Sequence, residues 1–342
     1  MEVTSVAQAG VPCTVRPTRL SEVDTAKGMA IALVVFGHMI ARDLKPRGND
    51  WWLIFHEHLY SFHMAFFFFL SGYVFFLHPP SQWASRLRKT AARLVPAYLL
   101  FALIVFLAKV VAIRVLHVDR PIKQPIDEIL LLVTRPTESF AQFLWFIVTL
   151  LMICTVVTVL REWITHHLSA ALLAFFALHV LSVTNHVTTL LALHQLARYT
   201  IFFLLAAACH RRLEAWTSAL SRAGWVFVGA FLVVLGALPY EWLPTVAGLL
   251  SLPALLAVAM RIDRWPPLRG PLQYLGRNTL TIYLMSSLAM GLVRGIVLKV
   301  WGWDDWHFFV VAPLLLSSGL LLPIVVQRLI FARWAWTDRI TR

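Results

Sequence analysis

The sequence predicts an all-helical, polytopic integral membrane bundle with about ten transmembrane helices. Of its 342 residues, 59% are hydrophobic and only 14% are charged. Soluble domains carry about 25% charged residues, so this chain could not cover a soluble core of its length with a water-facing surface. Lipid must therefore supply much of the apolar contact.

Ten apolar runs along the chain are candidates for spanning helices, since a crossing of about 30 Å of hydrocarbon takes about 20 residues. The fifth and sixth of them are shorter or weaker than the rest. No soluble domain of useful size fits between the runs, so we predict a short cytoplasmic tail, residues 1–18, and a single membrane domain, residues 19–342. The runs lie near residues 24–42, 51–77, 93–115, 140–160, 168–182, 199–210, 224–238, 243–260, 272–299 and 307–331.

The loop charges predict the orientation. If the N-terminus is cytoplasmic, the loops on that side hold about twice as many Lys and Arg residues as the opposite loops. Both termini are then cytoplasmic. The net charge of +13 does not indicate nucleic acid, because the basic residues are interleaved with the spanning runs. Three scattered cysteines argue against a disulfide framework and against a Cys-based metal site.

The first run carries three ionisable residues, Asp24, Lys27 and His38, in an otherwise apolar stretch. At 100° per residue, all three fall on one helix face, which must point into the bundle. His38 lies about 16 Å from Lys27 along the axis, well across the membrane. The alternatives are a helix-end pair for Asp24 and Lys27, and a core histidine for His38.

The second run adds His56, Glu57 and His58 near its outer end and His63 deeper in the membrane. Glu57 points away from its two flanking histidines by helical angle, and the chain has no HExxH pattern, so we predict no metal site. Because this run returns toward the cytoplasm, His56, Glu57 or His58 can approach His38 in depth. His63 is a second polar group, suited to an oxyanion or to an acceptor.

A basic stretch follows the second run at the cytoplasmic border: Arg86, Arg88, Lys89 and Arg93. One interpretation is that these cations only set the membrane topology. The other is a phosphate clamp, because the planar guanidinium fork matches phosphate oxygens.

Taken together, these residues resemble the acyltransferase-3 family of membrane O-acyltransferases, most closely its fucose O-acetylase-like branch. The resemblance covers residues 19 to 332, almost the entire chain. Its motifs are Arg19-Leu20 with Asp24, Lys27-Gly28 and Gly37-His38; Phe62-His63-Met64; Phe69-Leu70-Ser71-Gly72-Tyr73; the Arg86 to Arg93 stretch with Pro96; and weaker echoes at Leu144-Trp145-Phe146 and Tyr274-Leu275-Gly276-Arg277-Asn278-Thr279.

The resemblance implies a plasma-membrane (inner-membrane) enzyme. Its co-substrate would be cytoplasmic acyl-CoA, most simply acetyl-CoA, and its acceptor a sugar hydroxyl of a surface glycan or a lipid-linked precursor. The family's basic residue and histidine correspond to Lys27 and His38, and its cytoplasmic arginines correspond to Arg88 and Arg93. His38 then acts as general base on the hydroxyl or as a nucleophile, and the sequence leaves both open.

Two other functional classes compete with this interpretation. A proton-coupled transporter or flippase of a polar or glycan-linked solute would use His38 as a proton relay and would need no CoA. A receptor or structural membrane protein would leave the face of Asp24, Lys27 and His38 unexplained.

Overall fold

A computed structural model of the protein describes residues 21–39, 46–114, 122 and 124–341. All regular elements within these residues are helical, which confirms the predicted fold class. The predicted tail, residues 1–18, and Arg19 lie outside the described residues. The α-helices are α1 (Ser21–Gly37), α2 (Asp50–Phe76), α3 (Trp83–Ala112), α4 (Pro125–Thr134), α5 (Trp145–Val159), α6 (Arg161–His166), α7 (Leu168–Val183), α8 (Leu193–Arg211), α9 (Leu213–Ala237), α10 (Leu243–Ile262), α11 (Pro266–Arg277), α12 (Thr279–Val300), α13 (Phe308–Leu329) and α14 (Ala335–Thr341).

Eight helical segments of the described chain are long and apolar enough to cross a membrane: those with α2, α3, α5, α8, α9, α10, α12 and α13. The prediction counted ten, and the other two runs are the shorter helices α1 and α7. With 16 residues, α7 measures about 24 Å, less than the hydrocarbon thickness of about 30 Å. The described part of α1 has 17 residues and ends at Gly37.

The ninth predicted run, residues 272–299, is two helices instead of one. The chain leaves helical geometry at Asn278, with φ −103° and ψ 19°, which separates α11 from α12. Pro266 begins α11, where a missing amide hydrogen costs nothing. The break makes Arg277 the last residue of α11, at the junction with the spanning helix.

The first two helices form the centre of the bundle. Of the apolar stretch of α2, 78% is buried within the protein, against 17% for α9, which therefore presents most of its surface to lipid. Around α1 pack α2, α10, α11, α12 and α13. Asp24 and Thr25 of α1 are consequently buried in protein, and Lys27 is half-buried.

Two glycines bring α1 and α11 into backbone contact. A Cβ on Gly28 would overlap the carbonyl oxygen of Leu272, and a Cβ on Gly276 would overlap the carbonyl oxygen of Asp24. Only glycine permits so close an approach of two backbones. Each glycine is next in sequence to a cation, Lys27 or Arg277, so the contact fixes these two side chains near one another.

Candidate functional site

A cavity of about 340 Å³ lies among α1, α2, α3, α5, α11 and α12. Its polar wall combines residues from the start of the chain with residues that follow some 250 positions later. The polar and sulfur-bearing lining residues are Asp24, Lys27, Ser71, Arg86, Thr90, Arg93, Cys154, Arg277, Thr279 and Tyr283.

The charge of this wall is predominantly positive. Four of the described lining residues are cations, Lys27, Arg86, Arg93 and Arg277, and Asp24 carries the opposing charge. Asp24 is 5% exposed, and its Oδ2 lies 3.5 Å from Nε of Arg277. Because one carboxylate cannot neutralise four cations, the cavity is suited to an anion with more than one charge.

The arrangement of α3 separates the basic residues that the sequence grouped together. Arg86, Thr90 and Arg93 recur at i, i+4 and i+7, on one helix face, and all three line the cavity. Arg88 and Lys89 are exposed and are not among the lining residues. The predicted clamp of four cations on α3 is therefore divided, with two of them at the cavity and two on the outer face.

Arg86 is the cation with the clearest capacity for a ligand. Its Nε is buried and has no hydrogen-bond partner within the described part of the chain. A buried donor without a partner costs about 1–3 kcal/mol, and a bound anion would remove that cost.

The inner part of the cavity is apolar. Its walls include Phe67 from α2 and Phe146 from α5, whose rings meet edge to face at 4.8 Å. Tyr283 of α12 closes the same region, with its ring 5.4 Å from Phe146 and its hydroxyl donating to the carbonyl of Phe143. The cavity thus has a cationic part and an apolar part, each built from different helices.

A group of hydrogen bonds braces the wall formed by α1 and α11. Asp263 Oδ1 accepts from Ser21 Oγ at 2.9 Å, from Thr25 Oγ1 at 2.7 Å and from Gln273 Nε2 at 2.9 Å. Burial alone would raise the pKa of the Asp263 carboxyl, but these hydrogen bonds outweigh it and lower that pKa. Asp263 therefore stays ionised and ties the first turn of α1 to α10 and α11.

The two predicted histidines lie together, away from this cavity. His63 is 3% exposed, and its Nδ1 donates to the carbonyl of Leu59 at 2.7 Å. If the ring is neutral, Nε2 is therefore the acceptor. This nitrogen faces the end of α1, because it lies 3.7 Å from the position that a Cβ on Gly37 would take. His38 directly follows that glycine.

The cavity residues and the histidines lie at different levels along α1 and α2. Neither His38 nor His63 lines the cavity that holds Asp24 and Lys27. Phe67, four residues after His63, lies one helical turn closer to the cavity on the same side of α2. The helical rise explains the separation, because about 16 Å along α1 exceeds the depth of one small cavity.

Several residues of the two groups were not predicted. Thr90 could have been found from helical periodicity, because it lies on the same face of α3 as Arg86 and Arg93. The same periodicity places Arg88 and Lys89 away from the cavity. Arg277 stands in a quoted motif, but its approach to Asp24 depends on the glycine contact, which is a tertiary feature. Tyr60 also was not predicted, whereas His56 was one of the residues expected to approach His38; both contact the end of α1. No group of three or more potential metal ligands occurs among the described residues.

Comparison with known proteins agrees with this architecture. Residues 20–328 match the family model described as an acyltransferase domain. No curated protein and no solved structure matches the chain. The match decides between the competing classes in favour of an acyltransferase over a transporter or receptor. The chain belongs to the acyltransferase-3 family of membrane proteins.

Proposed function

We propose that this protein is an O-acyltransferase that takes an acetyl group from cytoplasmic acetyl-CoA. The acceptor is a sugar hydroxyl of a surface glycan or of its lipid-linked precursor, as in the fucose O-acetylase-like branch that the motifs resemble. The observation that carries this proposal is the cavity whose cationic wall continues into an apolar one.

The chemistry of acyl-CoA matches the two parts of the cavity. Its nucleotide end carries several phosphate charges, for which Lys27, Arg86, Arg93 and Arg277 offer cationic donors. The pantetheine arm is uncharged, and its methyl and methylene groups can pack against the wall of Phe67 and its neighbours. A transported sugar or proton would need neither feature.

The histidines supply the acid–base chemistry. In the direct route, an imidazole takes the proton of the sugar hydroxyl while the oxygen attacks the thioester carbonyl. The C–S bond then breaks, and the CoA thiolate leaves and takes up a proton. In the covalent route, the imidazole nitrogen of His38 first attacks the carbonyl, releases CoA and passes the acetyl group to the hydroxyl.

Both routes require the thioester to pass the aromatic pair of Phe67 and Phe146. The distance from Lys27 to His38 is about 16 Å along the helix axis. A long, thin arm can cover that distance while its phosphates stay on the cationic wall. In this proposal His63 shares the proton transfer with His38, which the direction of its acceptor nitrogen toward the end of α1 supports.

Donor binding tests the proposal through two arginines of one helix. Arg86→Gln should weaken acetyl-CoA binding by about tenfold or more, because a charged hydrogen bond to phosphate is lost. Arg88→Gln is the matched control, since Arg88 is exposed and is not part of the lining. Affinity can be measured by calorimetry on purified protein, with the melting temperature confirming the fold. Equal affinities for both variants and the wild type would contradict the proposal.

The orientation is a further part of the proposal. With both termini in the cytoplasm, the cavity beside the first turns of α1 opens toward the compartment that contains acyl-CoA. Topology reporters fused after residue 342 and inserted near Lys123 should report the cytoplasm and the opposite side, respectively. A C-terminal reporter on the periplasmic side would exclude this orientation.

A further inference from the structure

The end of α1 is held by side chains from another helix. The last carbonyl groups of a helix have no partner within it. The Gly37 carbonyl, directly before His38, instead accepts from His56 Nε2 at 2.9 Å and from Tyr60 Oη at 3.0 Å. We call this pair of hydrogen bonds the Gly37 clamp.

The clamp is built into α2. His56 and Tyr60 are four residues apart, hence on one face, and their rings are 4.4 Å apart. Since a carbonyl oxygen only accepts, His56 must be protonated at Nε2, and Tyr60 must be an un-ionised phenol. A Cβ on Gly37 would lie 3.1 Å from the Tyr60 ring, so the ring packs tightly against the backbone at this point.

Neighbouring contacts leave the His38 backbone little freedom. Its amide lies 3.1 Å from the carbonyl oxygens of both Val34 and Val35. On the following residue, the Met39 carbonyl accepts from Arg294 Nη1 of α12 at 3.3 Å. Side chains of α2 therefore bond to the peptide directly before His38, and a side chain of α12 bonds to the carbonyl of the residue after it.

We propose that His56 and Tyr60 are positioning residues that aim the His38 imidazole through the Gly37 clamp. The inference rests on the proposed function, in which His38 touches the reacting groups. A side chain's direction follows its Cα–Cβ bond, and rotation of the peptide that precedes His38 moves that bond. A displacement of 1 Å at a reacting group can cost about a hundredfold in rate, so the clamp should act on turnover and leave donor binding unchanged.

Tyr60→Phe removes one clamp hydrogen bond and keeps the ring. We expect kcat for acetyl transfer to fall by about tenfold, with KM for acetyl-CoA and the melting temperature unchanged. Tyr98→Phe is the matched control, because the Tyr98 hydroxyl also donates to a backbone carbonyl, that of Leu132 at 2.8 Å, far along the chain from Gly37. The control should retain the wild-type kcat.

The second clamp residue offers a rescue. His56→Ala should lower kcat, and His56→Gln should restore part of it, since an amide nitrogen can donate to the same carbonyl. His58→Gln controls for the substitution itself, because His58 is only half-buried and bonds to the Ile54 carbonyl of its own helix instead of to α1. A purely structural role would lower the melting temperature and the active fraction without this order of kcat values.

The outcomes separate the two hypotheses. Native kcat in Tyr60→Phe and in His56→Ala, in an active preparation, would overturn the clamp and leave the proposed function standing. A fall in melting temperature that accounts for the lost activity would also overturn the clamp. Absence of any transfer by the wild-type protein, with a panel of sugar acceptors, would overturn the proposed function and the clamp that rests on it.

Discussion

The cationic cavity and the histidine group differ in how the chain builds them. The cavity joins α1 to α11 across some 250 residues, and two glycine contacts keep Lys27 and Arg277 together. The histidines lie on two consecutive helices, α1 and α2, which meet at the Gly37 carbonyl. The first region therefore depends on the assembly of the whole bundle, whereas the second depends on the direction of a few side chains.

This difference predicts separable defects. Changes in the cavity wall should affect donor affinity and, where backbones touch, stability. Changes in the histidine group should affect turnover in a protein that still folds and still binds donor. The predictions below test this separation, starting with the largest expected effect.

His38 variants should give the largest loss. His38→Ala should reduce acetyl transfer by about a hundredfold or more, the usual contribution of an acid–base group, while acetyl-CoA binding persists. His38→Gln separates function from packing, since glutamine can keep a hydrogen bond but cannot relay a proton at neutral pH. Both variants are compared with the wild type by mass spectrometry of the acetylated acceptor. Transfer at the native rate by the Gln variant would make His38 structural.

The same residue permits a test of route. Purified wild-type protein is mixed rapidly with radiolabelled acetyl-CoA in the absence of acceptor. Label trapped on His38 would establish the covalent route, and absence of label in a protein that becomes active when acceptor is added would favour the general-base route. Label on another residue would contradict both.

Gly276→Ala should produce the next largest effect, a loss of stability and of donor affinity in the cationic cavity. The new methyl group would overlap the Asp24 carbonyl, so α1 and α11 must separate. Overpacking of this kind costs about 1–3 kcal/mol and should lower both the melting temperature and the affinity for acetyl-CoA.

Gly270→Ala is the control within the same helix. Nothing lies within 4 Å of a Cβ at Gly270, so alanine should be neutral or slightly stabilising there. Equal melting temperatures for the two alanine variants would refute the glycine contact as the element that holds the cavity together.

The sequence predicted the helices well because the length of an apolar run is a local property. It failed at Asn278, where one run was predicted and the structure has two helices, α11 and α12. The fifth run was predicted to be short, and α7 is short. Within the site, the pairing of a cation with a glycine at Lys27-Gly28 was visible in the sequence. The contact of Lys27-Gly28 with Gly276-Arg277 was not visible in the sequence, because it is a tertiary contact between residues far apart in the chain.

The Asp263 network should have the smallest effect, visible only in acid. The pKa of Asp263 in the folded protein is below its ordinary value of 3.8. Ionised Asp263 therefore stabilises the fold above about pH 4, and this contribution is lost as the pH falls through the lowered pKa. Asp263→Asn should remove that part of the acid dependence of the melting temperature, measured from pH 7 to pH 3. An unchanged acid profile would exclude a stabilising role for this carboxylate.

The most direct test of the account compares donors with and without phosphates. Purified wild-type protein is titrated with acetyl-CoA and with S-acetyl-pantetheine, which has the same thioester and arm but lacks the nucleotide phosphates. If the cations of the cavity hold the donor, acetyl-CoA should bind at least about a hundredfold more tightly, and the difference should shrink in Arg86→Gln. Equal affinity for the two donors would contradict the assignment of the cavity as the acyl-CoA site.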